Sequence, residues 1–409
     1  TQRSKSRRDR PNIGQNQCRR IRLLISKRKR NSVQSEQQEI VKWILKILNL
    51  AVLPVTLLAA IVLFISGQSP ALSPIYSSTI ALIGMAFPVW YVLNILLLVY
   101  WAIQFKLRLL IPLFALIFNI SGAQLYVQWN KPYSDSVVQP LKVISYNANL
   151  FGIYRNTSDI DSIVQIISEQ NADLILFQEV FNPNGNLKKL MRELGKKLNL
   201  PFSECYQLQP NRNYGMCILS KYRIKNWDKI YFSQPTGNMA MYADIGIPDP
   251  QKPESERSIR FFNIHLQSIR FSKKDYQAIE EVNSDQTIDK NTTEGLINRI
   301  RIAYEKRAPQ VDALKEEISN CKLPKMVIGD FNDVPLSYTY YELSEDLNDA
   351  FVTRGSGLET TYKGPFPSFR IDYQLYSDPI QCLKYENIKK VPSDHKMIVG
   401  TYEIGYYNQ

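Results

Sequence analysis

The chain has two histidines in 409 residues, and both lie within short polar motifs. His265 follows the dipeptide Asn-Ile, and His395 follows Ser-Asp. Histidine is the side chain whose ordinary pKa lies closest to neutrality, so enzymes commonly use it to transfer protons. Imidazole also packs and hydrogen-bonds in protein cores, and that structural use is the commoner one. The polar groups found elsewhere in the chain decide between the two interpretations.

Polar residues follow four apolar, strand-like runs in the second half of the chain. The runs VISY, LILF, FFNI and MVIG are followed, in order, by Asn147, Gln178-Glu179, His265 and Asp330-Phe331-Asn332-Asp333. Two further segments carry Asp372 and the pair Asp394-His395. Loops at one edge of a sheet hold catalytic groups on rigid supports, so we expect these side chains to converge.

Carboxylates, amides and imidazoles in one place suit a particular chemistry. Hard oxygen ligands favour Mg²⁺, Mn²⁺ or Ca²⁺, and the chain lacks the Cys and His spacing of a zinc site. A divalent cation, two histidines and amides that can hold phosphate oxygens together favour hydrolysis of a phosphate ester.

The elements that must position these groups are short strands mixed with amphipathic helices. The strand-like runs are Leu141–Tyr146, Leu174–Phe177, Met216–Leu219, Arg260–Ile264, Lys325–Ile328, Ile371–Tyr376 and Lys396–Tyr402. The helical stretches are Ser158–Gln170, with Ser158 as N-cap, Leu187–Leu198 and Thr293–Ile318. This alternation predicts a large α/β domain with one or two mixed sheets.

The order of the motifs SYN, QE, NxH, GDFN, RxDY and SDH resembles that of the endonuclease/exonuclease/phosphatase superfamily, whose fold is that of deoxyribonuclease I. The resemblance covers about residues 140–405. It implies a four-layered α/β sandwich of two packed mixed sheets. The pattern is most similar to that of bacterial membrane-anchored members. Two subfamilies are disfavoured, the inositol 5-phosphatases and the apurinic endonucleases, because their accessory motifs are missing here.

The resemblance also implies a role for each motif residue. It assigns the metal shell, with Mg²⁺ as the cofactor and Mn²⁺ as an alternative, to Glu179, Asp394 and Asn147. It assigns catalysis to His395, Asp372, His265, Asp330 and Asn332. In this scheme His395 is oriented by Asp372 and activates water, which agrees with general acid–base chemistry. For His265 the sequence shows no equally clear orienting carboxylate.

The predicted function is therefore metal-dependent hydrolysis of a phosphoester bond by activated water. The substrate stays open between nucleic acid, as in a nuclease, and a phospholipid or sphingomyelin-type diester. A non-catalytic, membrane-tethered binding module is the alternative from another class, and the presence of all the motif residues disfavours it. No obligate protein partner can be inferred from the sequence.

The positive charge of the chain belongs to its first third. Residues 1–130 hold 16 Lys and Arg against 3 Asp and Glu, whereas the remainder holds 34 against 35. The net charge of +12 therefore gives no evidence for a nucleic-acid-binding surface on the larger part. A nearly neutral domain favours small or lipidic substrates over long duplexes, because binding to a phosphate backbone recruits Lys and Arg.

Residues 1–42 carry 13 of those basic residues and few apolar ones, which predicts a disordered, solvated arm. Three apolar runs follow, at about 43–65, 75–105 and 109–129. A helix needs about 20 apolar residues to cross a bilayer, so we predict three transmembrane helices. Three buried helices of a soluble domain are the alternative, which runs this long and this poor in charge disfavour.

The distribution of basic residues predicts an orientation. The arm before the first run is strongly basic and residues 66–74 carry no charge, which places the N-terminus in the cytoplasm. With three crossings, the domain over residues 131–409 lies on the extracytoplasmic side of a membrane, which the resemblance suggests is a bacterial inner membrane.

Five cysteines show no CxxC spacing, so a redox motif is disfavoured. Cys205 and Cys217 flank a turn-like segment and would form a disulfide if they face each other across a hairpin in an oxidising compartment. Two small buried side chains are the alternative.

Overall fold

The computed structural model describes residues 13–131, 139–151, 160–209, 212–233, 237–249, 252–269, 290–364 and 369–405. Its helices are α1 (Ile13–Gln68), α2 (Ser78–Met85), α3 (Phe87–Ile103), α4 (Leu110–Phe118), α5 (Ile120–Gln124), α6 (Ile160–Gln170), α7 (Leu187–Lys197), α8 (Lys290–Asn320), α9 (Tyr338–Leu343) and α10 (Ala350–Arg354). Its strands are β1 (Val127–Trp129), β2 (Leu141–Asn147), β3 (Leu174–Phe181), β4 (Phe202–Gln209), β5 (Arg212–Ser220), β6 (Ile224–Ile230), β7 (Met239–Asp249), β8 (Lys252–His265), β9 (Lys325–Asp330), β10 (Asn348–Asp349), β11 (Ser356–Leu358), β12 (Asp372–Tyr376), β13 (Ile380–Ile388) and β14 (Met397–Ile404).

The strands form two six-stranded sheets and one small two-stranded sheet. One large sheet has the order β13-β14-β2-β3-β5-β4, and the other has the order β10-β12-β9-β8-β7-β6. Both are mixed, because β2 and β3 pair in parallel, as do β8 and β9, while their other neighbours are antiparallel. The α/β architecture with two mixed sheets is therefore confirmed.

The two sheets pack face to face, and helices cover their outer faces. Alternate residues of β2 show how the sequence encodes this arrangement: Val143 lies in the core between the sheets, whereas Ile144 lies in the core beneath α6 and α7. A third core lies between the other sheet and helices α8 and α9. Strands that are buried on both faces read as continuous apolar runs, which is why they were recognisable in the sequence.

Five of the seven strand-like runs fall within an observed strand, and the other two, Ile371–Tyr376 and Lys396–Tyr402, begin one residue before β12 and β14. Each helical stretch coincides with a helix to within a few residues. The proposed N-cap Ser158 lies outside the described residues. The sequence prediction missed β1, β4, β6, β7, β10, β11 and β13. For the edge strand β6 the reason is that only Ile230 of its seven residues is buried, so it lacks a long apolar run.

The N-terminal part differs from its prediction in two respects. The first is the basic arm: residues 13–42 are not disordered but continue the apolar run upstream as one helix of 56 residues. Residues 15–53 contain no Gly or Pro, and Arg, Lys, Gln, Glu and Leu are good helix formers, so a helix started in the apolar run extends into the basic segment. Residues 1–12 of the arm lie outside the described part.

The second difference is the number of membrane-spanning helices. Among the described residues one helix, Glu36–Ala71, is long and apolar enough to cross a membrane. The second run forms two helices, α2 and α3, which are bent by 56° relative to each other. Pro88 lies in the first turn of α3, next to the bend. The third yields an apolar helix only over Leu107–Phe118, because the helix breaks at Asn119 and the run ends in strand β1. Three regular spans were therefore a wrong prediction.

The apolar helices nevertheless lie side by side. The side chain of Asn94 donates a hydrogen bond of 3.0 Å to the carbonyl oxygen of Ala59, and Tyr100 donates one of 2.8 Å to Asn49. A later residue of α3 thus contacts an earlier residue of α1, so the two helices are antiparallel. We call α1 to α5 together the helical segment.

The helical segment is joined to the sandwich by buried contacts as well as by the chain. Strand β1 pairs with β11. The side chain of Leu336, from a loop of the sandwich, packs in a core formed by Leu63, Phe87 and Leu116. Arg370, also from the sandwich, donates a 3.0 Å hydrogen bond to the carbonyl oxygen of Leu125. These contacts fix the helical segment against one end of the sandwich.

Cys205 and Cys217 face each other in register across the antiparallel pair β4–β5 and form a disulfide in the structure. Both lie in the core beneath α6 and α7. The disulfide that the sequence left open is thus compatible with the fold.

Candidate active site

Three adjacent strands bring three of the expected residues side by side. His265 ends β8, Asp330 ends β9 and Asp372 begins β12. In the sheet register His265 is paired with Asp330, and Asp330 is paired with Asp372. Asn147, at the end of β2 in the opposite sheet, donates a 3.0 Å hydrogen bond to Asp330. The polar residues that follow the apolar runs therefore meet at one edge of the sandwich.

His395 is held by a carboxylate on one side of its ring. Its Nδ1 lies 2.9 Å and 3.2 Å from the two carboxylate oxygens of Asp372. Its Nε2 lies 3.7 Å from Asp330 Oδ2. Burial lowers the pKa of His395, but the charges of Asp372 and Asp330 outweigh burial and raise it well above its ordinary value. The ring is thus fixed with Nε2 directed toward a second carboxylate.

His265 also has a nearby carboxylate, which the sequence did not reveal. Its Nε2 lies 3.2 Å from Glu179 Oε1 and 3.9 Å from Asp330 Oδ2. Burial lowers the pKa of His265, but the contact with Glu179 more than compensates and raises it. Burial also raises the pKa of Glu179, but the contact with His265 lowers it by more. The pKa of Glu179 therefore lies below its ordinary value. Among the described residues neither ring nitrogen of His265 has a hydrogen bond of good geometry.

Glu179 points into the site because the strand is irregular there. The pairing of β3 with β5 shifts register between Phe177 and Val180, and Glu179 has the left-handed φ of 48°. A bulge of this kind redirects a side chain. The preceding Gln178 turns inward and donates a 2.7 Å hydrogen bond to Asn263, which ties the two sheets together.

Hydrogen bonds hold the remaining motif residues in place. Asn332 has a φ of 54°, and its backbone N–H donates to Asp330 Oδ1 at 2.8 Å. Its side chain donates to the carbonyl oxygen of Leu266 at 3.0 Å. Ser393, whose role the sequence left open, donates through its hydroxyl to the carbonyl oxygen of Asn147 at 2.8 Å and accepts from the N–H of His395 at 3.1 Å. Ser393 is therefore a positioning residue.

These groups surround a cavity of about 270 Å³. Its lining comprises Met85, Asn149, Glu179, Ser268, Ile269, Tyr304, Arg307, Asp330, Asn332, Asp333, Val334, Tyr362, Phe369, Ile371, Asp394 and His395. Asp394, expected near the metal, is in this lining. Asn147, His265 and Asp372 are not part of this lining, but each contacts a residue that is, namely Asp330, Glu179 and His395 respectively.

Sequence reasoning missed the contribution of α8 and of the helical segment. Arg307 forms a 2.7 Å ion pair with Asp333, and both side chains are 2% exposed. Met85 reaches the cavity from the end of α2. The long polar face of α8 gives no signal that one of its arginines turns inward, and Met85 belongs to a run that the sequence predicts to be a transmembrane helix.

Gly329, which precedes Asp330, has a φ of 139° and lies against β8, where a Cβ atom would overlap the carbonyl oxygen of Ile264. We expect Gly329→Ala to lower the free energy of unfolding by more than about 3 kcal/mol, because both the backbone angle and the space are unsuitable for alanine. Gly295→Ala is the matched control, since this glycine lies within helix α8 with open space around it. It should stabilise by up to about 1 kcal/mol. Denaturant unfolding of the full chain measures both, and equal effects would contradict the packing argument.

The donor set suits a hard divalent cation. Asp330, Asp372 and His395 form a buried group whose ligand atoms all lie within 4.8 Å of one another and could hold a metal ion. Burial, together with repulsion from the charge of Asp372, raises the pKa of Asp330 to about 6. Asp372 and His395 of this group are hydrogen-bonded to each other, and Glu179 and Asp394 contribute further carboxylates to the cavity lining. A positive charge there would relieve the repulsion and favour neutral imidazoles.

The family model described as endonuclease/exonuclease/phosphatase matches residues 144–395, which includes every residue of the site except Met85. The chain belongs to the endonuclease/exonuclease/phosphatase family. Members of this family are usually phosphoester hydrolases, typically with a divalent metal. A second family model, described as a domain of unknown function, matches residues 45–125 and thus most of the helical segment.

Solved structures of this family are similar to the chain. The human Nocturnin catalytic domain, solved with a sulfate anion, has a TM-score of 0.47 and 17% identity, with 67% of this chain and 96% of that one covered. An endonuclease/exonuclease/phosphatase from Beutenbergia cavernae has a TM-score of 0.47 and 14% identity, with 66% and 72% covered. A family protein from Bacteroides thetaiotaomicron has a TM-score of 0.45 and 16% identity, with 66% and 100% covered. No curated protein matches the chain in sequence.

Proposed function

We propose that the chain is a membrane-anchored, Mg²⁺-dependent phosphodiesterase that cleaves a phosphoester bond with an activated water molecule. The observation that carries the proposal is the buried His395–Asp372 pair, whose free ring nitrogen faces a carboxylate-lined cavity. The same arrangement disfavours a non-catalytic binding module, because a purely structural core would not retain four carboxylates and two imidazoles at one edge.

The residues of the chain then divide the chemistry among them. Asp372 fixes the ring of His395 and stabilises the imidazolium, so Nε2 can accept a proton from water. Asp330 and Asn332 lie where they can orient that water or a phosphate oxygen. His265 can donate a hydrogen bond to a phosphate oxygen or to the leaving group. Glu179, Asp394 and the amide of Asn147 are the groups that would hold or surround Mg²⁺ or Mn²⁺. When bound, the cation would neutralise the charge that develops on the phosphoryl oxygens.

The direct test uses the full chain in detergent with three substrates: bis-p-nitrophenyl phosphate, supercoiled plasmid DNA and phosphatidylcholine vesicles. We expect Mg²⁺ to support hydrolysis of at least one and EDTA to abolish it, with Mn²⁺ as a second active ion. If no substrate is hydrolysed with either ion, the proposed function is wrong. If hydrolysis is unchanged in EDTA, its metal dependence is wrong.

Two observations support an extracytoplasmic position for the catalytic domain. A Cys205–Cys217 disulfide requires an oxidising compartment. The basic residues of α1 precede its apolar part, which favours a cytoplasmic N-terminus. Helix α3 runs antiparallel to α1, and it begins at the end where Leu63, Phe87 and Leu336 pack together. The catalytic domain therefore lies at the end of the helical segment that is opposite to the basic N-terminal end of α1.

We therefore expect a reporter enzyme that is active only in the periplasm to be active when fused after Gln409 in a bacterial host. A cytoplasm-active reporter at the same position, expressed at the same level, is the control and should be silent. The opposite pattern would mean that the domain lies on the cytoplasmic side.

A further inference from the structure

We propose that the helical segment forms one wall of the active site and that Met85 selects phosphodiesters with an apolar group beside the scissile phosphate. The proposal rests on the proposed function and specifies its substrate class. The substrate that fits is a single amphiphile, such as a lipid-like phosphodiester, rather than a nucleic acid strand.

The first observation is the position of Met85. It is the last residue of α2, and it lines the same cavity as Glu179, Asp330 and His395. The cavity is also lined by apolar side chains of the sandwich, among them Ile269 and Val334. A methionine side chain is flexible and polarisable, so it accommodates alkyl groups of varied shape. The cavity therefore offers apolar side chains to a substituent of a substrate, in addition to the carboxylates and the imidazole of His395.

This wall is held in place by contacts on both sides of α2. Thr79, in its first turn, accepts a 3.1 Å hydrogen bond from Arg301 of α8. Gly84, beside Met85, lies in contact with the loop of the sandwich, because a Cβ there would be 3.5 Å from the carbonyl oxygen of Leu336. Leu336 itself is buried in the core of the helical segment, three residues after the cavity residue Asp333. The loop that carries Asp333 and the helix that carries Met85 are thus packed as one unit.

The charges of the cavity disfavour a polyanion. Among the described residues that line it, Arg307 is the only Lys or Arg, and its guanidinium is already paired with Asp333 at 2.7 Å. A protein that binds a nucleic acid strand neutralises several phosphates with Lys and Arg. A single phosphodiester carries one negative charge, which the proposed cation would neutralise, so it needs no set of Lys and Arg.

The surroundings of Met85 offer a place for the rest of an amphiphile. Helix α3 begins two residues later, and Val89, Val92, Leu96 and Val99 recur along one of its faces, each at least 50% exposed. A stripe of exposed apolar residues on a helix suits contact with lipid rather than with water. An alkyl chain that passes Met85 can therefore continue along a lipid-facing surface.

The test compares alkyl p-nitrophenyl phosphates with methyl, butyl and octyl chains on the full chain in detergent with Mg²⁺. For the unaltered protein we expect kcat/KM to rise with chain length, by up to about fourfold for each methylene that becomes buried. Met85→Gln and Met85→Ala should flatten this dependence, whereas Met85→Leu should retain it. Ile75→Gln is the matched control, because Ile75 is an exposed apolar residue of the same segment that does not line the cavity. Detergent partitioning is common to all variants, so only the site changes between them.

Each outcome decides one question. Hydrolysis of the methyl ester without any dependence on chain length, or a dependence that survives in both Met85→Gln and Met85→Ala, overturns the inference and leaves the proposed function intact. Plasmid DNA cleaved with a higher kcat/KM than the octyl ester also overturns it, in favour of a nuclease. Lack of metal-dependent hydrolysis of all these substrates is the separate failure of the proposed function. The thermal unfolding midpoint of each variant shows whether its fold is retained, and Met85→Leu reports on the position even if a polar residue is not tolerated.

Discussion

Replacing His395 with alanine is expected to lower kcat about 10²- to 10⁴-fold, the range usual for loss of general acid–base catalysis. The reason is geometric: Nδ1 is engaged by Asp372, and Nε2 is the nitrogen left to exchange a proton with water. His395→Gln is the better variant for stability, because its amide can still donate to Asp372 but cannot transfer the proton. Steady-state hydrolysis of bis-p-nitrophenyl phosphate at saturating Mg²⁺ measures both.

Asp372→Asn tests the same arrangement from the other partner. An amide keeps the shape of the side chain but loses the charge that stabilises imidazolium and fixes the tautomer, so we expect a loss of kcat of similar order. Asp244→Asn is the control, since Asp244 is also a partly buried carboxylate of this sheet, paired with Arg260 at 2.6 Å away from the cavity. It should keep its kcat. Full activity in both His395 variants would mean that another group activates the water.

Replacing Glu179 with glutamine is expected to lower kcat/KM about 10²- to 10³-fold, because several kcal/mol of charge stabilisation depend on the cation. The carboxylate is directed into the cavity by the bulge in β3, and an amide is a much weaker ligand for Mg²⁺. The variant should also need a higher Mg²⁺ concentration for half-maximal activity. A readout without turnover is the rise in unfolding temperature on adding Mg²⁺ or Mn²⁺, which should be smaller in the variant.

Glu193→Gln is the control for this substitution, because Glu193 lies exposed on α7. It should leave both the activity and the metal-dependent stabilisation unchanged. An E179Q protein with unaltered Mg²⁺ dependence would assign the cation to other oxygens, with the buried group Asp330, Asp372 and His395 as the next candidate.

The sandwich could be predicted from the sequence because its strands are buried on both faces. Apolar runs such as VISY and MVIG mark central strands, and the polar residue after each marks the active edge. Edge strands such as β6 were not recognised in the sequence, because their exposed positions interrupt the apolar pattern. The motif order gave the family, since each motif closes a different central strand or loop.

Contacts between distant segments could not be predicted in the same way. The proximity of Glu179 to His265 depends on a local bulge, and a one-residue irregularity leaves no periodic trace in a sequence. The inward turn of Arg307 and the approach of Met85 depend on how α8 and α2 pack against the sandwich. The apolar runs of the helical segment indicate burial in lipid or in a protein core. They do not indicate that the helices are interrupted near Pro88 and Asn119.

The junction between the helical segment and the sandwich has a consequence for how the protein unfolds. Composition changes abruptly near residue 131, yet Leu336 is buried among the apolar helices and Arg370 donates to the backbone of Leu125 across that boundary. Cutting the chain there would expose an apolar side chain and leave a buried guanidinium short of an acceptor. We therefore expect the two parts to unfold together. In a fragment made by removing the helices, the loop that carries Leu336 and the nearby cavity residue Asp333 would lose its packing.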